Sequence, residues 1–166
     1  EGPPAGHPDV PALRVASAIL SGRLFAEVRS RRNLTYAVDA RFRDEALTAG
    51  GLYVTTTRPD TTLGIMRNEI RNLQSYLIPT ENLRPLIQQF LTEYFIDNES
   101  SSDQADMLVR AELYRGDFRA AERFVADLRA VTGEDVQRVA RSYFRGIRFA
   151  YIGNPAQVNR FRLMGF

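Results

Sequence analysis

The sequence predicts an α+β domain, an antiparallel β-sheet with helices packed on one face. Three observations predict it. Residues 36–42 alternate apolar and polar, the period of a half-buried strand. Gly50-Gly51 marks a turn, and the β-branched and aromatic run at 52–57 supplies a hairpin partner. From residue 63 to about 145 the apolar residues recur at helical spacing, before a last strand at 147–153.

Asp9 is placed to cap a first helix over residues 9–20, with Pro11 in its first turn, where a missing N–H costs little. Leu13, Ala16 and Leu20 share one face, with Ile19 beside them. Ser21-Gly22 breaks the pattern, and a short second helix over 23–32 buries Leu24, Phe25 and Val28. The hairpin follows, with Tyr36, Val38, Ala40 and Phe42 on one side and a loop through 44–49.

Leu63, Met66, Ile70, Leu73 and Leu77 form one helical stripe, ended by Pro79. Leu83, Ile87, Leu91 and Tyr94 belong to a second. Pro85 is tolerated there if Asn82 is the cap and Pro85 lies in the first turn. After a polar break at 98–102, Met107, Leu108, Ala111 and Tyr114 mark a helix stopped by Gly116. Asp117 caps the next, holding Phe118, Ala121, Val125 and Leu128. Thr132 caps another, holding Val136, Val139, Ala140 and Tyr143. A short helix follows Pro155. Two paired strands and a lone third make a thin sheet for so many apolar helices. Partner strands are therefore expected outside this chain, upstream of Glu1 or on another subunit.

Composition removes most self-sufficient catalytic machinery. The 166 residues are 44% apolar, enough for one core. All 22 basic residues are arginine, which excludes a lysine Schiff base, a lysine general base and a P-loop lysine. There is no cysteine, hence no disulfide, thiol nucleophile or cysteine metal site. His7 is the one histidine, so no two-histidine zinc site and no H-x-x-E-H motif can be built. It reads as a solvated residue of a Gly/Pro-rich segment. No apolar run reaches the roughly 18–20 residues that span a bilayer.

Four stretches, in order, resemble the pitrilysin/insulinase family of zinc metallopeptidases, the inverted zincins, and specifically their non-catalytic C-terminal-type half-domain. The first is Asp9-Val-Pro-Ala-Leu-Arg-Val-Ala-Ser-Ala-Ile-Leu20. The second and most specific is Ser21-Gly-Arg-Leu-Phe-Ala-Glu-Val-Arg-Ser-Arg-Arg-Asn-Leu-Thr-Tyr-Ala-Val38. The third covers residues 103–116. The fourth runs from Ala130-Val-Thr-Gly-Glu-Asp-Val-Gln-Arg-Val-Ala to Ile152-Gly-Asn-Pro155. On this resemblance residues 1–8 are a flexible tail and 9–166 an inactive peptidase-like half-domain.

The resemblance implies a division of labour. One half of such a peptidase carries H-x-x-E-H and the zinc. The other has lost the ligands, closes over the first and lends it an Arg and a Tyr seven residues apart. Those positions here are Arg29 and Tyr36. The implied zinc sits in the partner half, with no metal or other cofactor in this chain and no activity from this chain alone. The implied partners are a homologous zinc-bearing half and a peptide or unfolded-protein substrate, with no nucleic acid and no membrane span; an oligomer stays open. Bacterial members of the family suggest the periplasm.

The chemistry suits the pair. Attack of water on a peptide carbonyl places negative charge on an oxygen, and a phenol O–H aimed at it stabilises that charge. A guanidinium offers fixed donors to a peptide carbonyl and keeps its proton. Plainer readings stand beside this one. Arg29-Ser-Arg-Arg32 can be the solvated end of a helix, where cations suit the dipole. Tyr36 can be a core residue with a satisfied hydroxyl. Asn33 stands where the family has glycine, and asparagine tolerates the left-handed backbone.

Three functions compete. The first is the non-catalytic half of a zinc peptidase. The second is a proteolytically inactive scaffold or assembly subunit of the same fold. The third is a phosphate or RNA binder using Arg29, Arg31, Arg32, Arg41 and Arg43, against which the net charge of +2 argues.

Overall fold

The computed structural model describes residues 2–164, apart from the side chains of Arg162 and Leu163. Glu1, at the head of the expected tail, and residues 165–166, at the end of the expected domain, lie outside the described residues. The order is α1 (Val10–Leu24), a π-helical turn (Phe25–Ser30), β1 (Val38–Asp44), β2 (Thr48–Val54), α2 (Pro59–Ser75), a 3-10 turn (Thr80–Leu83), α3 (Arg84–Asp97), α4 (Ser101–Arg115), α5 (Ala120–Arg129), α6 (Gly133–Tyr143), a 3-10 turn (Pro155–Gln157) and α7 (Arg160–Leu163). Mixed helices pack with a two-stranded antiparallel sheet, so the fold is α+β as expected.

No break occurs at Ser21-Gly22; α1 runs through it into the π-helical turn. A helical glycine costs about 1 kcal/mol relative to alanine. Leu20, Leu24 and Val28 form one continuous buried stripe across it, and each buried side chain contributes about 1.5–3 kcal/mol. Burial wins. Phe25, expected in the core, falls off that stripe and is 45% exposed. Asp9 holds the cap position of α1 but makes no capping hydrogen bond. Its carboxylate accepts instead from Arg138 at 2.7 Å and Tyr143 at 2.9 Å, pinning the start of α1 to α6.

The hairpin is shifted from its expected place. Val38 pairs with Val54 and Asp44 with Thr48, which leaves residues 45–47 as the loop. Gly50 and Gly51 lie inside β2, opposite Phe42 and Arg41. The strand starts early because Thr48 is anchored: its hydroxyl donates to the Pro3 carbonyl at 2.8 Å, and its own carbonyl accepts from the Gly2 N–H at 2.8 Å. The segment expected as a flexible tail is thereby laid along the sheet. Pro4 bridges to Leu47, and Pro3 and Ala5 are buried. Among the described residues no ladder forms at 147–153, where a strand was expected. A cavity of about 500 Å³, lined in part by Leu13, Leu20, Met66 and Ile70, lies between this segment and the hairpin.

The other helix signals hold in part. Ser100 caps α4, accepting from the Asp103 N–H. Gly116 ends α4 in the left-handed conformation, φ 69°. Thr132 and Asp135 form a reciprocal capping box on α6. Pro85 lies in the first turn of α3, but Leu83 rather than Asn82 holds the cap position, because the 3-10 turn already delivers the chain in helical geometry. Asp117 closes a turn ahead of α5 through the Arg119 N–H and leaves Phe118 outside the helix. Leu77 lies past the end of α2 and is exposed. The main core gathers α1, α2, α6 and one side of the hairpin around Leu24, Leu73, Val136 and Val139. A smaller cluster of Ala111, Ala120 and Ala121 joins α4 to the start of α5.

Candidate functional site

The turn after α1 is widened. The Arg31 N–H reaches back five residues to the Ala26 carbonyl at 2.9 Å, and the Leu34 N–H six residues to Val28 at 2.9 Å. Such π-helical turns cost helix regularity and recur at functional sites. Asn33 then takes a left-handed backbone, φ 48°, and reverses the chain toward the sheet. The tolerance expected of asparagine at this position is what the turn uses.

Beyond the turn the backbone is pinned. The Leu34 carbonyl accepts from the Thr56 hydroxyl at 2.8 Å. The Thr35 hydroxyl lies against the Thr55 carbonyl and accepts the Ala37 N–H. Thr35 is buried, and Tyr36, held between these anchors, turns outward and is 84% exposed. Tyr36 is therefore not a core residue, and the strand begins two residues after it.

Arg29 and Tyr36 meet. The Arg29 guanidinium carbon lies over the Tyr36 ring at 4.7 Å from its centroid and over the Phe25 ring at 4.9 Å. Arg31 and Arg32 do not join them. Both bind the Glu27 carboxylate. The Arg32 hydrogen bond, with the charge of Arg31 beside it, holds the Glu27 carboxyl below its usual range. Arg29 has no ion pair among the described residues, so the run Arg29-Ser-Arg-Arg32 is one guanidinium without a carboxylate beside two that share Glu27. Arg41 pairs with Asp39 at 3.0 Å. Glu27 and Asp39 thus offset part of the positive charge on which a phosphate or RNA binder would draw.

Phe25 is the residue that the sequence reading put in the wrong place. Its spacing four before Arg29 was a usable signal, since residues four apart share a helix face. No group of three or more His, Cys, Asp or Glu among the described residues could hold a metal ion. The donor set among the described residues does not fit zinc. His7 is exposed; its Nδ1 accepts the Asp9 N–H at 3.1 Å. No helix among the described residues is long and apolar enough to cross a membrane.

The family model of the peptidase M16 inactive domain matches residues 1–90. No curated protein matches the sequence significantly. Among solved structures, a protease from Helicobacter pylori superposes with a TM-score of 0.75 at 19% identity, over 87% of this chain and 37% of that one. The periplasmic protease PqqL from Escherichia coli gives a TM-score of 0.70 at 19% identity, over 84% of this chain and 16% of its own. The inactive peptidase domain of a candidate zinc protease from Bordetella parapertussis gives 0.73 at 24% identity, over 87% of this chain and 82% of its own. At these identities the likeness establishes the fold. The chain spans well under half the length of the Helicobacter and Escherichia proteins.

Proposed function

This chain belongs to the peptidase M16 inactive-domain family, and on that premise we propose that it is the non-catalytic half of a zinc metallopeptidase. It encloses a peptide or unfolded-protein substrate against a homologous zinc-bearing half and supplies Arg29 and Tyr36 to that half's active site. One observation supports the reading: the half-buried Arg29 holds its guanidinium carbon 4.7 Å from the ring centroid of the exposed Tyr36, with Arg29 free of any carboxylate among the described residues.

Each side chain has a role that its placement allows. A guanidinium held against a ring face spends none of its N–H donors on that contact and can offer them to a peptide carbonyl. The Tyr36 hydroxyl, on a ring with 84% exposure, donates to the oxygen that gains charge as water attacks the carbonyl. The zinc and its activated water belong to the other half. The pinned backbone around Tyr36 fixes the donor before substrate arrives, which is where such stabilisation draws its strength.

The test joins this chain to its zinc-bearing half and follows peptide cleavage. Tyr36→Phe is expected to lower kcat/KM about 10²–10³-fold, the loss seen when one such donor is removed, with unchanged thermal unfolding. Equal rates for Tyr36→Phe and wild type overturn the catalytic role. A joined protein that closes correctly yet cleaves no peptide points instead to the scaffold reading.

A further inference from the structure

A half-buried arginine such as Arg29 commonly takes its orientation from a carboxylate, which matches the guanidinium fork. The nearest acidic residue in sequence, Glu27, is committed to Arg31 and Arg32. Arg29 is instead bracketed by two rings, Phe25 at 4.9 Å and Tyr36 at 4.7 Å. We propose that Phe25 is a positioning residue, whose ring is the inner wall that holds the Arg29 guanidinium facing Tyr36 with its donor edge toward substrate.

Three features support this. Phe25 is 45% exposed and outside the main core cluster, so packing alone does not explain a phenyl ring there. Phe25 and Arg29 ride on the same π-helical turn, whereas Tyr36 stands on the loop pinned by Thr35 and Thr56. The two walls therefore come from the π-helical turn and from the loop after it, which the Asn33 N–H ties back to the Arg29 carbonyl at 3.0 Å. Finally, a ring holds a cation without consuming its N–H donors, whereas a carboxylate would occupy the donors that a substrate carbonyl needs. An aromatic bracket orients Arg29 and leaves it available.

This inference rests on the reading of Arg29 as a substrate-binding group, so the experiment has two readouts. In the chain labelled with ¹⁵N-arginine, the Arg29 Nε–H proton is expected upfield of the arginines that lie over no ring, a set that leaves out Arg14, Arg41 and Arg119, through the ring currents of Phe25 and Tyr36. Phe25→Leu moves it toward the others, while Phe25→Tyr keeps it upfield. In the assembled peptidase, Phe25→Leu lowers kcat/KM for a peptide about two- to fivefold, the worth of an exposed cation–π contact. Phe25→Tyr restores it. An Arg29 resonance unmoved by Phe25→Leu overturns the proposal, and so does a kinetic loss that Phe25→Tyr fails to rescue. Arg29→Ala separates the two readings. Unchanged kinetics in that variant defeat the substrate role of Arg29, while the Phe25→Leu resonance shift still reports whether the bracket exists.

Discussion

Asp9 and Arg138 stand 129 positions apart in the sequence and 2.7 Å apart in the structure. With the Tyr143 hydroxyl at 2.9 Å, this contact locks the residue at the cap position of α1 to α6. Burial alone would raise the Asp9 carboxyl, but the hydrogen bonds from Arg138 and Tyr143 and the charge of Arg138 outweigh it, so the net shift is downward. A carboxyl with a lower pKa folded than unfolded stabilises the fold above its unfolded value, about 3.9, and loses that contribution as pH falls through the folded value.

Asp9→Asn is therefore expected to lower unfolding free energy at about pH 7 by roughly 1.5–3 kcal/mol, the range for charge-assisted hydrogen bonds. The gap to wild type is expected to narrow as pH falls below the unfolded value, about 3.9, toward the lowered folded one. Urea unfolding of both proteins across this range measures it. Asp135, lowered despite its own burial by hydrogen bonds from Thr132 and Arg138, shares that guanidinium with Asp9, so its titration is coupled to the substitution. A gap that does not change with pH would show that ionisation of Asp9 is not the source.

What the sequence made legible follows from where the deciding forces act. Caps and stops are local, and Gly116 and the Thr132 cap need only a few neighbouring residues to operate. Gly22 and Gly50 misled because tertiary contacts overrode their local preference. Gly22 is carried by the stripe on either side of it, and Gly50 by a strand that Thr48 starts early through Pro3, 45 residues away. At the site, the family pattern singled out Arg29 and Tyr36, and their juxtaposition depends on the short turn between them. Phe25 was lost because an apolar residue beside Leu24 reads as core unless the widened turn that rotates it outward is known.

Gly22 and Gly133 make opposite predictions. A Cβ at Gly22 meets nothing within 4 Å, and the residue sits inside α1, so Gly22→Ala is expected to stabilise by up to about 1 kcal/mol. At Gly133 a Cβ would lie 1.8 Å from the Ile78 carbonyl oxygen, a contact with backbone that no rotamer change relieves. Gly133→Ala must displace the start of α6 from the segment after α2, and is expected to cost more than the roughly 1 kcal/mol of a typical substitution. Thermal unfolding of the two variants should move in opposite directions.

Asp44 ends β1 and joins three elements. Its Oδ2 accepts from Arg14 of α1 at 2.7 Å and Arg115 of α4 at 3.1 Å, and its side chain is 9% exposed. Asp44→Ala leaves two guanidinium groups with no carboxylate between them. Both are part-exposed and regain water, which keeps the loss below that of a fully buried pair. The expected cost is about 1.5–3 kcal/mol. Hydrogen exchange is expected to rise first at the contact between α4 and the hairpin, since the tie lost is the one that holds them together.

Asn33 offers a final test, because its backbone links the two members of the site. Its N–H donates to the Arg29 carbonyl at 3.0 Å, and its left-handed φ of 48° turns the chain toward Tyr36. A side chain with a Cβ and no local polar group pays about 1–2 kcal/mol in that conformation, whereas glycine adopts it freely. Asn33→Gly is expected to keep wild-type thermal stability and peptide cleavage. Asn33→Ala is expected to lose part of that 1–2 kcal/mol, since asparagine already bears some of the strain. A valine there, branched at Cβ, is expected to lose more. If the strain is relieved by reopening the turn, cleavage falls further than stability, because the distance between Arg29 and Tyr36 depends on the turn while the core beneath Leu24 and Val28 does not.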